Sequence, residues 1–244
     1  MWFLYVNPRP AETAVKKAVI SGVHSVEANS INVINQRVAG KIESYRAIIE
    51  EMFSDVFEKN LKISWLDIGA GYGEIVEAVG LLAPDGSTVM GVEPMEPKAS
   101  DAKRRGINVK HGYLNSISER FSYISLVNVF SHIPDFRSFL NEIKSKLLPK
   151  GEIFIETGNA ADLQPGEVPG DLSLPDHLVF SGEKHIKGFL VEQGFEIVSI
   201  TRVRYDTVWQ FCKDLIKKML GRKINLVLPY TSPYRSLLIR ARLN

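Results

Sequence analysis

The chain has 244 residues, of which 45% are hydrophobic and 24% charged, and its formal net charge is +2. That composition supplies a real globular core, and the charge is too balanced for a dedicated nucleic-acid binder. The single cysteine, Cys212, excludes an intrachain disulfide and a cysteine-built zinc cluster.

In chain order, the apolar start Met1 to Val6 stops at Asn7-Pro8-Arg9-Pro10. It lacks a basic n-region and is too short for a secretory signal. No apolar stretch approaches membrane-spanning length, and a cytoplasmic protein is expected. Residues 1–30 are mixed, with weak helical character from Ala14 to Val19. From Val33 to Phe57 the residues Ile42, Tyr45, Arg46, Ile49, Met52, Phe53 and Val56 recur at helical spacing, predicting a helix that lies against the sheet edge or covers a ligand. Residues 1–60 are therefore read as an N-terminal helical extension or cap, and 61–244 as the main domain.

From Ile63 onward strands and helices alternate. Strands are expected near 63–68, 88–92, 107–110, 123–128, 152–157, 195–201 and 235–242, and helices near 73–82, 97–105, 136–147, 183–193 and 207–220. Such alternation predicts an α/β fold, a doubly wound and mostly parallel sheet covered on both faces. The proline-rich segment 160–181 is too long for a simple connection. It leaves the carboxyl end of a strand, where ligands of open α/β sheets bind. Between Arg202 and Asn244 ten Lys or Arg accompany two Asp, a local +8 that leaves −6 for the remainder.

The most informative stretch is Trp65-Leu66-Asp67-Ile68-Gly69-Ala70-Gly71-Tyr72-Gly73-Glu74. A buried strand turns through alternate glycines into a helix whose first apolar positions are Ile75, Val76 and Val79. Glycine admits positive φ and a close ligand, and the helix start offers backbone N–H groups. The spacing is G-x-G-x-G, and not the G-x-G-x-x-G of dinucleotide sites. Glu74 would repel a pyrophosphate, whereas Asp67 and Glu74 together suit a cationic ligand. The next strand ends at Glu93, which can accept both hydroxyls of a ribose.

These residues resemble the class I S-adenosylmethionine-dependent methyltransferases. The resemblance continues through Gly91-Val92-Glu93-Pro94, Asn128 to Asp135, Leu147-Leu148-Pro149-Lys150-Gly151-Glu152-Ile153-Phe154-Ile155-Glu156, Pro175 to Ser181 and Gly194 to Val198, covering about residues 40–200. The later pieces resemble a bacterial branch that methylates small molecules, often sugars or glycan and lipid-linked intermediates. The resemblance implies a Rossmann-like seven-stranded sheet whose last strand, Arg235 to Arg242, is antiparallel. It implies S-adenosylmethionine as cofactor, S-adenosylhomocysteine as product and a role in polysaccharide biosynthesis. It places Asp67, Gly69, Ala70, Gly71 and Tyr72 in the cofactor loop and Glu93 on the ribose. Pro94, Met95, Tyr113 and Leu114 fall by the adenine, and Asn128 beside the methionine portion. The chain departs from the family pattern at Asn115, near where relatives often carry an acid for the adenine amino group, and at Ser131, where they commonly carry Glu.

His132 and His177 both follow strand ends on the ligand side and are the candidate bases for a hydroxyl acceptor. Asp176 could orient His177. No metal site is read from the sequence. The basic amphipathic helix of 207–220 has two readings. It could meet an anionic membrane or a phosphorylated lipid-linked acceptor through Lys213, Lys217, Lys218, Arg222 and Lys223. Otherwise Phe211, Leu215 and Met219 pack on the domain and the lysines face water, which is the expectation adopted. The functional reading is O-methyl transfer to a small molecule or glycan precursor, with no nucleic-acid partner. Its alternatives are a binding protein that has lost catalysis and a nicotinamide-dependent oxidoreductase.

Overall fold

The computed structural model describes residues 4–5, 10–11, 13–15, 20, 37, 39–164, 167, 177–204, 206–222 and 226–244. The expectations placed on residues 33–36, Asp176, Pro175 and Lys223 lie outside them. The elements are β1 (Leu4–Tyr5), α1 (Ala39–Met52), α2 (Ser54–Phe57), β2 (Ser64–Ile68), α3 (Glu74–Leu82), β3 (Thr88–Glu93), α4 (Glu96–Arg104), β4 (Val109–His111), β5 (Phe121–Val127), α5 (Phe136–Lys146), β6 (Leu147–Gly158), β7 (Val179–Phe180), α6 (Glu183–Glu192), β8 (Phe195–Val203), α7 (Val208–Met219) and β9 (Ser236–Leu243).

Among the described residues, seven strands form one sheet in the order β4-β3-β2-β5-β6-β9-β8, and only β9 runs antiparallel to its neighbours. This is the expected α/β, Rossmann-like sheet. The central strands are apolar on both faces because helices cover both. Leu66, Ile68, Ile124, Leu126, Ile153 and Ile155 join the core under α5 and α6. Trp65 and Phe154 point the other way, into a second core with Ile49, Phe53, Ile75 and Val79. The fully buried Trp65, Phe53 and Phe154 are each worth about 1.5–3 kcal/mol on burial alone.

Two expectations about α1 need correction. The described helix begins at Ala39 and breaks at Phe53, so the periodic run to Phe57 becomes two helices. Phe53 leaves helical geometry at φ −123°, and its ring meets Trp65 edge-on at 4.9 Å and Phe154 at 5.9 Å. Burying that ring also places α1 over the sheet face beside α3, and not at the sheet edge.

The first strand had no counterpart in the sequence reading. Leu4–Tyr5 pairs antiparallel with Val179–Phe180 in a separate two-stranded sheet. The long segment after β6 is pinched at its base. Ala161 N–H donates to the Ser181 carbonyl at 3.0 Å, and Glu183 N–H donates to the Asp162 carboxylate at 2.8 Å, capping α6.

Arg240 of β9 ties this frame together. Its guanidinium is 3% exposed, donates to Glu152 at 2.5 Å, to Asp55 at 2.5 Å and to the Met52 carbonyl at 2.7 Å, and lies 4.4 Å from the Phe53 ring centre. The hydrogen bonds from Arg240 hold the Asp55 carboxyl below its ordinary range. Removing one partner of a buried pair strands the other. Arg240→Ala should therefore cost about 3–5 kcal/mol in urea unfolding, since Glu152 is 5% exposed and would keep, among the described residues, only Arg242. A loss under about 1 kcal/mol would show that the network does not secure α1 and α2 to the sheet.

Candidate active site

The carboxyl ends of β2, β3, β5 and β6 lie along one edge of the sheet, because these strands are parallel. Between β2 and α3 the chain makes its glycine turn. Gly71 and Gly73 adopt φ of 55° and 83°, and Gly73 begins α3 with no side-chain cap. A Cβ on Gly69 would stand 2.6 Å from Val129 Cγ2, so the turn packs against the segment leaving β5. Arg105 braces the turn from below by donating to the Tyr72 carbonyl and pairing with Glu77, which also binds Arg37 at 2.6 Å.

Carboxylates surround this turn. Glu93, 5% exposed, accepts from Gly71 N–H at 2.7 Å with one oxygen and from Met95 N–H at 2.8 Å with the other. Asp67 is 2% exposed and accepts from Ser125 Oγ at 2.5 Å. Ser125 accepts in turn from Trp65 Nε1 at 2.9 Å, a chain that joins β2 and β5. Loss of water pushes the Asp67 carboxyl up to about 8; Glu93 and Glu74 add to this, and the Ser125 hydrogen bond opposes it. The folded value lies above the unfolded one, so the stability this group contributes falls as pH rises from about 4 to about 8. The Tyr72 phenol is also raised, first by burial and then by Asp101 and Glu74.

Across from the turn, a short 3-10 turn, Phe130–His132, follows β5. His132 and His177 meet edge to face, with ring centres 4.6 Å apart. The returning segment is fixed there by Leu178 N–H, which donates to the Ser131 carbonyl at 2.7 Å. The fold thus brings together two histidines that lie far apart in sequence, next to the glycine turn that Val129 touches.

A family model described as a methyltransferase domain matches residues 38–200. The chain belongs to the class I S-adenosylmethionine-dependent methyltransferases. Among curated relatives, a ubiquinone biosynthesis O-methyltransferase of Bartonella tribocorum is 33% identical over 179 residues, 64% of this chain and 70% of that protein. One of the same name from Actinobacillus pleuropneumoniae is 27% identical over 125 residues, 46% of this chain. The chain spans about half the length of that relative, 50%. Among solved structures, 1,6-didemethyltoxoflavin-N1-methyltransferase of Burkholderia thailandensis aligns with a TM-score of 0.59 at 18% identity, over 99% of this chain and 95% of that one. Magnesium protoporphyrin IX methyltransferase of Synechocystis, solved with bound S-adenosylmethionine, aligns with a TM-score of 0.57 at 11% identity, over 98% of this chain and 100% of that one. At these identities the structural likeness concerns the fold.

The methyltransferase turn fits its family's cofactor on chemical grounds. Each Glu93 oxygen accepts one N–H and keeps a lone pair for a hydroxyl. Asp67, Glu74 and Glu93 together favour a cation, and S-adenosylmethionine is a sulfonium. Pro94 and Met95 follow Glu93 directly, Met95 being 8% exposed and starting α4. Tyr113 is 54% exposed, whereas the Leu114 side chain is buried in the core, so that residue has only its backbone to offer a ligand. Asn128 follows β5, is exposed, and takes φ 57°, a left-handed conformation that Asn tolerates.

One residue of the β6 motif was given no role at the site by the sequence reading. The carboxyl of Glu156, near the end of β6, is raised by burial, which Lys41 opposes, and its Oε2 has no hydrogen-bond partner among the described residues. Its position matches that of Asp67 and Glu93, carboxylates at the ends of parallel strands, and that was the available signal.

Glu93→Ala should weaken S-adenosylmethionine binding by about 1.5–3 kcal/mol in calorimetry. Glu96→Ala, which removes only an exposed partner of Ser100, should leave it unchanged. Equal affinities for the two variants would place the ribose elsewhere.

Proposed function

We propose that this protein transfers the methyl group of S-adenosylmethionine to a hydroxyl of a small-molecule acceptor, a sugar or glycan precursor. The cofactor supplies an electrophilic methyl on a sulfonium. What remains for the protein is to place a nucleophile and accept its proton. The observation that carries the reading is the His132–His177 pair at the carboxyl edge of the sheet, with ring centres 4.6 Å apart. An imidazole exchanges a proton near neutral pH, as a weakly nucleophilic hydroxyl requires. An amine acceptor, already basic, would need such a group less.

The curated relatives support oxygen as the methylated atom through their names, which specify O-methyltransferases. The sugar or glycan acceptor rests on the sequence resemblance of 175–198. Glu156 offers a second polar group at the same edge, suited to receive an acceptor hydroxyl.

The experiment is radiolabelled methyl transfer to a panel of sugars, glycan precursors, phenols and amines. His177→Ala or His132→Ala, whichever removes the base, should lower turnover by roughly 10²–10⁴ and leave cofactor affinity intact. Full turnover in both variants would mean that positioning alone drives transfer. Methyl recovered on nitrogen would overturn the hydroxyl reading.

A further inference from the structure

The expectation that Phe211, Leu215 and Met219 of α7 pack on the domain is met only at Phe211, which is half-buried, and not at Leu215 and Met219. No residue of α7 is buried. The half-buried positions are Gln210, Phe211, Asp214 and Lys217, spaced along one helix face that is mostly polar. The opposite face carries Trp209 at 68% exposure, Ile216 at 58%, Met219 at 80% and Leu220 at 76%. This amphipathic helix presents its apolar stripe outward.

The polar side holds itself in place. Asp214 accepts from Gln210 at 2.8 Å and from Lys217 at 3.0 Å, and Thr207 caps the first turn through Gln210 N–H. The excursion is pinned where it leaves and rejoins the sheet. Asp206 accepts from Ser232 N–H at 2.7 Å, and Arg204 donates to the Tyr230 carbonyl at 2.7 Å. Val227, Leu228 and Tyr230 are also exposed on the returning strand of chain. The apolar stripe is therefore borne on an anchored arm. Because β8 runs parallel to β6, α7 follows its carboxyl end and stands on the same edge of the sheet as the glycine turn and the histidines.

The cations choose the occupant. Lys213, Lys218 and Arg222 are exposed along the margins of the stripe, and Lys213 Nζ lies 5.0 Å from the centre of the Trp209 ring. The one acid in the helix, Asp214, is already paired. A second copy of the chain would bring like charges together, and protein interfaces are poor in lysine at their cores. A surface with anionic headgroups above acyl chains accepts both the margins and the stripe.

We infer that α7 and the adjoining 226–230 segment lie on an anionic membrane surface, turning the ligand edge of the sheet toward it. The acceptor is then an amphiphile presented at that surface. This second clause rests on the methyl-transfer reading, and the docking does not.

The test is sedimentation of the full chain with vesicles of phosphatidylglycerol and phosphatidylcholine, or of phosphatidylcholine alone, at low and high salt. Binding is expected only with the anionic vesicles and should fall as salt rises. Replacing Lys213, Lys218 and Arg222 by Gln should weaken it about a hundredfold, at roughly fivefold per charge. Trp209→Ser with Met219→Ser should weaken it as well, and both variants should keep S-adenosylmethionine affinity. No binding at low salt, or equal binding to neutral vesicles, would overturn the inference. So would a dimer in analytical ultracentrifugation that the serine variant dissociates, since a second copy would then cover the stripe. Loss of methyl transfer with docking intact would contradict only the function proposed above.

Discussion

Glu93 accepts the N–H groups of Gly71 and Met95 with its two oxygens, so a single carboxylate ties the glycine turn to the end of β3. Everything on the ligand edge is registered to that tie. The turn can approach β5 only because Gly69 lacks a Cβ where Val129 stands. Val129 opens the short helix that carries His132, and the segment bearing His177 is hydrogen-bonded to the same helix at Ser131. The path from glycine turn to candidate base is thus a short run of packed backbone between two strands.

The same edge concentrates acidic groups. Asp67 lies inside the sheet with Ser125 as its hydrogen-bond donor, and burial drives its carboxyl to about 8. A neutral core would be more stable there, because burying a carboxyl with two acidic neighbours opposes folding as the pH rises. A cation held in the turn relieves the repulsion among these groups. The arrangement is strained toward a charged ligand, and it would reject the pyrophosphate that related folds bind at a helix start.

The sheet and its turn were legible because their signals are local. A buried strand, alternate glycines and an acid at the next strand end fix the order of β2, α3 and β3. The later strands follow from alternation. Periodicity says that a helix has two faces but neither where the helix docks nor which face is covered; the first misplaced α1 and the second α7. The α1 residues face the sheet and not its edge, and α7 turns its apolar face outward. Two-residue β1 carries no periodic pattern at all. The meeting of His132 with His177 depends on how segment 160–181 closes, which a linear reading places only on the correct side of the sheet.

The central claim is that a carboxylate-lined turn binds a cation. Calorimetry of S-adenosylmethionine binding at pH 7, repeated in buffers of different ionisation enthalpy, tests it through proton release. Burial pushes the Asp67 carboxyl up to about 8, so it is expected to hold its proton at that pH, and a bound cation favours its ionised form. Binding should then release about one proton per site, and Asp67→Asn should abolish the release. Binding without proton exchange in the unaltered protein would contradict the account.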